Sequence, residues 1–165
     1  MPICAIMGGT VAHFTLFPPG ESGELGDDIR ELFDDLTRSL GSDPHAYPGQ
    51  CRPLVDVFET DAAVELVVDT CGVPLQALRV LFRNGVLIVA GEKAPVPTVP
   101  EAAYHLVERD FGRFARAVRL TGAFDLARAR ATLQLGALTV VLPKLLERRG
   151  RAHRVPVTTP DSPAA

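Results

Sequence analysis

The stretch ATLQLGALTVVLPK, residues 131–144, decides how the rest of the chain is interpreted. It is almost wholly apolar, Gly136 divides it into two short runs, and a Pro-Lys pair ends it. Two apolar runs on either side of a glycine are typical of two strands joined by a tight turn. The stretch carries no acid, base or nucleophile apart from threonine hydroxyls and one glutamine, so we expect it to pack or dock rather than to catalyse.

Three more pairs of short apolar runs precede residues 131–144 in the chain. Residues 53–72 hold two runs joined by the polar ETDAA, residues 78–93 hold two around Asn84-Gly85, and residues 104–120 hold two around Gly112. Asn-Gly between β-branched runs is the strongest short hairpin signal. The Pro-rich stretch 94–103 cannot pair as a central strand and predicts an exposed loop. Seven or eight short strands without crossover helices predict an all-β core, an antiparallel immunoglobulin-like β-sandwich.

The N-terminal region carries a different period. Apolar residues recur at helical spacing between residues 25 and 40, which predicts one amphipathic helix there. Asp27 and Asp28 suit the positive end of its dipole, and Gly41 can end it. The apolar face of this helix needs a partner, which is either the protein's own core or another chain.

Composition divides the chain into three zones: an N-terminal arm (1–50), a β-rich domain (51–144) and a flexible C-terminal extension (145–165). The net charge is −3, with acidic side chains crowded in residues 21–40 and basic ones in residues 144–154. These regions are either contacts between copies of the chain or two solvated faces. The basic patch is too small to indicate nucleic-acid binding. The apolar N-terminus lacks the features of a signal peptide and is too interrupted to span a membrane, so we expect a cytoplasmic protein.

Nothing in the sequence indicates an enzyme. The three cysteines include no C-x-x-C pair, and the four histidines are scattered, so neither a disulfide framework nor a metal site is indicated. There is no P-loop and no G-x-G-x-x-G, so we expect no nucleotide or other cofactor. Cys71 as a nucleophile with His105 as its base is the best enzymatic alternative, but no family signature surrounds it.

With these motifs in place, the chain resembles the small heat shock proteins, the Hsp20 or α-crystallin family, of bacterial type. The family hallmark A-x-x-x-n-G-v-L stands here as Ala131 to Leu138, followed by TVVLPK. DVFETDAAVELVVDTCGV, NGVLIVAGEK, YHLVERDFGRFARAVRL and the tail tripeptide VPV match further family motifs in the expected order. The departures from the family pattern are Cys71, Thr121 and Leu135 at turns, and valine in place of isoleucine in the tail.

The resemblance implies a role for several sets of residues. The tail anchor is Val155 and Val157, which would enter a groove on a neighbouring subunit formed by Leu78, Val80, Phe82, Ala131 and Leu133. The dimer interface is Tyr104, Leu106, Glu108, Arg109 and Arg116, on a strand exchanged with the partner and on the strand after it. The arm that binds unfolding proteins, here called clients, includes Phe14, Phe17, Ile29, Leu32 and Phe33.

The resemblance therefore implies an ATP-independent holdase, a chaperone that binds non-native proteins and prevents their aggregation. Its partners would be its own copies, in a homo-oligomer built from dimers, and its clients. The alternative is a co-chaperone adaptor of the p23/CS type, which shares the sandwich but binds one folded partner as a monomer. The two differ in size, because an adaptor would elute near 17.7 kDa.

Overall fold

The structure, a computed structural model, describes residues 15–16, 23–41, 51–95 and 103–145. Its elements, in chain order, are β1 (Thr15–Leu16), α1 (Glu24–Leu40), β2 (Val55–Glu59), β3 (Ala63–Asp69), β4 (Leu78–Arg83), β5 (Val86–Lys93), β6 (Gly112–Arg119), β7 (Arg130–Gln134) and β8 (Ala137–Pro143). Single 3-10 turns at Leu75–Ala77 and Leu126–Arg128 precede β4 and β7.

Two antiparallel sheets form the predicted sandwich, with strand orders β1-β6-β5-β4 and β2-β3-β8-β7. Alternate residues of β3 and β8 face the core, and the register sets them opposite each other: Val64 to Leu142, Leu66 to Val140 and Val68 to Leu138. Opposed apolar pairs of this kind fix the register, because a slip of one residue would turn each set to the solvent.

Strand β5 departs from this alternation, because every residue from Val86 to Glu92 is buried. Leu87 and Val89 belong to the core between the sheets, whereas Val86 and Ile88 form a second cluster with Ala117 on the outer face of the same sheet. A strand buried on both faces needs cover on each side. Helix α1 supplies the outer cover through Leu25, Ile29 and Leu32.

Helix α1 agrees with its sequence prediction to within one residue. Gly41 ends it in the left-handed conformation, with φ at 63°, and its N–H donates to the carbonyl oxygen of Thr37. Glu24 and Asp27 lie in the first turn and Arg38 in the last, each at the end of the helix dipole that favours its charge. The open question about its partner is thus answered: the helix packs on the protein's own sheet.

Of the two strands predicted around Gly112, the structure shows the second, and the first was expected to pair with a partner protomer. Only β6 forms, beginning at Gly112, and residues 103–111 lie in no strand although they are rich in strand-forming side chains. Tyr104, Leu106 and Val107 are 65%, 74% and 63% exposed. A strand requires a neighbouring backbone, and this segment has none within the sheets of its own chain.

Candidate docking groove and interface edge

An apolar groove of about 300 Å³ opens where the free edges of the two sheets, β4 and β7, approach each other. Its floor is made of the buried core residues Leu87, Val140 and Leu142. Its rims hold Val80, which is 37% exposed, and Leu126, which is 49% exposed. The groove can therefore accept small apolar side chains from an extended segment.

The predicted groove residues fall into two groups. Val80, Phe82 and Ala131 line the groove. Leu78 is instead buried in the core, and half-buried Leu133 packs against the core, so neither is among the lining residues. Phe82 is held by an edge-on contact with Phe124, with ring centroids 5.7 Å apart. This contact orients the aromatic wall of the groove.

Sequence reasoning missed part of the lining. Leu126, Ala129 and Arg130 come from the 3-10 turn and the start of β7. The only sequence signal was their position just before the hallmark stretch, because a 3-10 turn has no periodicity of its own. Arg130 places a cation at the rim of an otherwise apolar groove.

A second unpaired edge lies on the other side of the sandwich. Strand β2 is hydrogen-bonded only to β3, so its outer edge is free, and Phe58 and Leu54 beside this edge are 46% and 74% exposed. The exposed segment 103–111 also lacks a strand partner. One protomer thus presents both a free strand edge and a free strand-forming segment.

Arg116 lies near this edge. It shares the face of β6 that carries Phe114 and Val118, so its side chain points toward the space between the sheets. The pKa of Arg116 is lowered, first because partial burial disfavours the charged form and then because the like charge of Arg52 is near. Among the described residues, Arg116 forms no ion pair within 4.0 Å. A partly buried arginine with a second positive charge in its surroundings favours a carboxylate as its partner.

The remaining predicted interface residues are exposed. Tyr104, Leu106, Glu108 and Arg109 lie on the segment before β6, and the Arg109 guanidinium stacks over the Phe111 ring at 5.2 Å from its centroid. This stacking keeps the end of the segment near β6.

Only part of the predicted client-binding arm is within the described residues. Ile29, Leu32 and Phe33 are half-buried against the sheet, with the Arg113 guanidinium 5.6 Å from the centre of the Phe33 ring. Phe14 and Phe17, like the tail anchor residues Val155 and Val157, lie outside the described residues.

The described ranges contain no group of three or more His, Cys, Asp or Glu side chains that could hold a metal. Cys71 is exposed in the turn after β3, and Cys51 is half-buried, where burial raises the pKa of its thiol. In these same ranges, no helix combines the length and apolar composition that a membrane crossing requires.

Comparison of the sequence with known proteins agrees with this geometry. Heat shock protein 16 of Schizosaccharomyces pombe is 29% identical over 119 residues, which are 71% of this chain and 83% of that protein. The 16.9 kDa class I heat shock protein 1 of Triticum aestivum is 36% identical over 122 residues, which are 73% of this chain and 81% of that protein.

Solved structures share the fold. Heat shock protein 16.0 from Schizosaccharomyces pombe superposes with a TM-score of 0.56 at 28% identity, covering 66% of this chain and 99% of that one. A small heat-shock protein from Xylella fastidiosa does so with a TM-score of 0.52 at 25% identity, covering 68% and 98%. The model of the Hsp20/alpha crystallin family matches residues 56–158. The chain therefore belongs to the Hsp20/α-crystallin family, the small heat shock proteins.

Proposed function

We propose that this protein is an ATP-independent holdase, which binds unfolding proteins and keeps them from aggregating, and that it works as a homo-oligomer built from dimers. Membership of the small heat shock protein family implies a chaperone role. The observation that carries the finer proposal is that, among the described residues, segment 103–111 and the outer edge of β2 have no strand partner and the apolar groove is open.

The dimer would form by exchange of segment 103–111 onto the β2 edge of a partner. Of the free edges, β4 and β7 flank the groove, whereas β2 adjoins Arg52 and the pair of guanidinium groups. An incoming strand satisfies backbone groups on both chains and covers exposed side chains such as Leu106. A partner's Glu108 would bring a carboxylate toward Arg116 and Arg52, which form no ion pair with the described residues.

Larger assemblies would form when the tail docks into the groove of another dimer. Pro156 biases Val155 toward an extended conformation, so the two valines project on one side as a pre-formed pair. The groove is apolar, half-open and lined by residues of matching size. The relative from Xylella fastidiosa has been described as having a distinct high order structure, and the proposal extends assembly of this kind to the present chain.

The test is heat-induced light scattering of an aggregation-prone client, with and without this protein, after ATP has been removed enzymatically. We expect scattering to be suppressed at near-equimolar subunits, because passive binding has no turnover. An inert protein of similar size at the same concentration is the control for crowding. Unchanged scattering, with this protein itself remaining in solution, would overturn the holdase proposal.

The p23/CS-type adaptor remains the second candidate, because it shares the sandwich. It predicts a monomer near 17.7 kDa. Sedimentation velocity decides between the two: a single species at the monomer mass favours the adaptor, and a dimer or larger species favours the holdase assembly.

A further inference from the structure

The contact between α1 and the sheet covers apolar residues of the helix that the proposed function assigns to client binding. Leu25, Ile29 and Leu32 face Val86 and Ile88 of β5 together with Ala117 and Leu81, and Leu36 of the helix is fully buried. In this arrangement the sheet covers Leu36 and part of the remaining apolar face of α1, so the complete face is not available to another protein. If that face binds clients, as the proposed function holds, the helix has to leave the sheet first.

At the border of the contact between α1 and the sheet, two arginines of the sheet pair with acidic side chains of the helix. Arg79 of β4 donates from Nε to Asp35 at 2.5 Å and from Nη2 to the Ser39 hydroxyl at 2.6 Å. Arg83, at the other end of β4, pairs with Asp28 and lies 3.6 Å from Glu31. The two arginines thus hold both ends of the helix, and we call them, with their acids, the ionic latch.

Arg113 of β6 adds a third contact. Its Nε donates to the buried carboxylate of Glu92 at 3.1 Å, and its Nη2 donates to the Thr37 hydroxyl at 2.8 Å. Because the Glu92 pair lies within the sheet, Arg113 stays paired when the helix leaves and loses only Thr37 and the Phe33 ring. When the helix leaves the sheet, the charges of Arg113 and the buried Glu92 therefore still compensate each other.

The latch is accessible to solvent. One side chain of each pair is about half exposed, Asp35 at 48% and Arg83 at 47%, whereas its partner, Arg79 at 25% or Asp28 at 12%, is more buried, so dissolved ions screen the pairs in part. Most of the apolar residues of α1 are only half-buried, which makes the helix one of the more weakly held elements of the fold.

We infer that α1 is an autoinhibitory lid, held closed on the β4–β5–β6 face by the ionic latch of Arg79 and Arg83, and that weakening the latch exposes the apolar helix face and the sheet beneath it to clients. The inference rests on the proposed function for what the exposed face binds. The undocking itself is independent of that function. Client binding to the open state would shift the population toward it.

Undocking is tested by hydrogen exchange of the full-length protein, comparing peptides from α1 with peptides from β5. We expect exchange in α1 to accelerate about tenfold in Arg79→Ala with Arg83→Ala at low salt, and in the wild type at about 1 M salt, while β5 changes little. Arg128→Ala, which removes an exposed arginine from the turn before β7, is the control and should leave α1 unchanged. If α1 exchanges at the same rate in the wild type, in the variant with Arg79→Ala and Arg83→Ala, and in Arg128→Ala, the ionic latch does not hold the helix.

Charge reversal separates the latch from a general loss of stability. Asp35→Arg and Arg79→Asp should each accelerate exchange in α1, and the two together should restore it, because the pair re-forms with opposite polarity. If the double variant is as open as either single variant, the pair does not hold the helix.

Autoinhibition is tested by closing the lid covalently. In a background with Cys4, Cys51 and Cys71 changed to Ser, Asp35→Cys and Arg79→Cys are joined by a short bismaleimide, and the control is the same protein treated with a monofunctional maleimide. We expect the tethered protein to lose about half or more of its suppression of client scattering. Equal suppression would overturn autoinhibition. If the control and the wild type both fail to suppress scattering, the proposed function fails, and the exchange results still decide whether the helix undocks.

Discussion

Leu135 takes the first position of the two-residue turn between β7 and β8, with φ at 51°, and its side chain is 96% exposed. The left-handed region costs an ordinary residue about 1–2 kcal/mol, whereas asparagine tolerates it well. We therefore predict that Leu135→Asn raises the free energy of unfolding by about 1 kcal/mol. The measurement is the urea midpoint of both proteins at equal protomer concentration.

The chain contains its own control for this effect. Asn84 takes the equivalent position between β4 and β5, also with φ at 51°. Asn84→Leu should lower the urea midpoint at least as much as Leu135→Asn raises it, since it also removes a hydrogen bond from Asn84 to Glu24. A midpoint that Leu135→Asn leaves unchanged or lowers would show that the exposed leucine contributes contacts in the assembly.

Arg116 is partly buried and forms no ion pair with the described residues. We predict that Arg116→Ala weakens the dimer about tenfold, because a partner carboxylate at this edge loses its counter-charge. Sedimentation equilibrium at low micromolar protomer measures the dissociation constant. Arg128→Ala is the matched control; if both variants dimerise as the wild type does, Arg116 is not an interface residue.

At the level of single turns, much of the structure could be predicted from the sequence. Asn84-Gly85 and Gly136 mark turns because positive φ is a local requirement that few residues meet. The groove residues Leu126 and Ala129 could not be predicted, since their positions depend on how a 3-10 turn packs against β4. Leu78 was placed in the groove by the family resemblance, yet its side chain is buried in the core at the start of β4.

Among the elements, α1 shows where local patterns stop being informative. Its bounds follow from periodicity and from Gly41. Its docking depends on pairs such as Arg79 with Asp35, which lie 44 residues apart in the sequence. Segment 103–111 shows the same limit, because strand-forming residues form no strand without a partner edge. The sequence pattern thus predicted α1 and segment 103–111 as elements, but not what each of them packs against. These are also the two parts of the chain that the proposals require to undock or to be exchanged.

The contact of α1 with the sheet should depend on pH through Asp35. The hydrogen bond from Arg79, opposed by partial burial and aided by the charges of Arg79 and Arg38, holds the pKa of Asp35 below its usual 3.8. Because the pKa of Asp35 is lower in the folded state than in the unfolded chain, the ionised carboxylate stabilises the fold. This contribution is fully present above about pH 3.8 and is lost as the pH falls through the lower, folded-state pKa.

We therefore predict that the wild type is more stable than Asp35→Asn at about pH 5 and that the difference disappears toward about pH 3. Urea midpoints of both proteins across this range make the measurement. Asp34→Asn, at an exposed neighbouring position, is the control. A difference that stays constant down to the lowest pH would show that Asp35 acts through something other than its charge.

For the whole molecule, we propose that docking of the tail into the groove sets the size of the assembly. We predict that Val155→Ala with Val157→Ala shifts elution from large oligomers toward dimers, because each lost buried methylene is worth about 0.8 kcal/mol and every subunit loses several. Thr158→Ala with Thr159→Ala alters the same tail beside the anchor and should elute as the wild type. If the valine variant also elutes unchanged, the tripeptide is not the anchor. The domain limits at residues 50 and 144 stay predictions.

The proposed dimer edge, groove and lid lie at different places on the sandwich, so we expect that assembly and client binding can be altered separately. The β2 edge and segment 103–111 would join two chains, the groove would join dimers, and α1 would cover the face that captures clients. Variants of Arg116, Val155 and Arg79 are therefore expected to change dimer strength, assembly size and client capture, respectively.

The measurement that tests the central claim most directly is the isolation of a complex with a client. A thermolabile client is heated with this protein in the absence of ATP, centrifuged, and the supernatant is separated by size. The account predicts that the client stays in the supernatant and co-elutes with this protein in a species larger than either alone. If the client sediments as fully as it does alone, while this protein elutes at its unheated position, the protein is not a holdase.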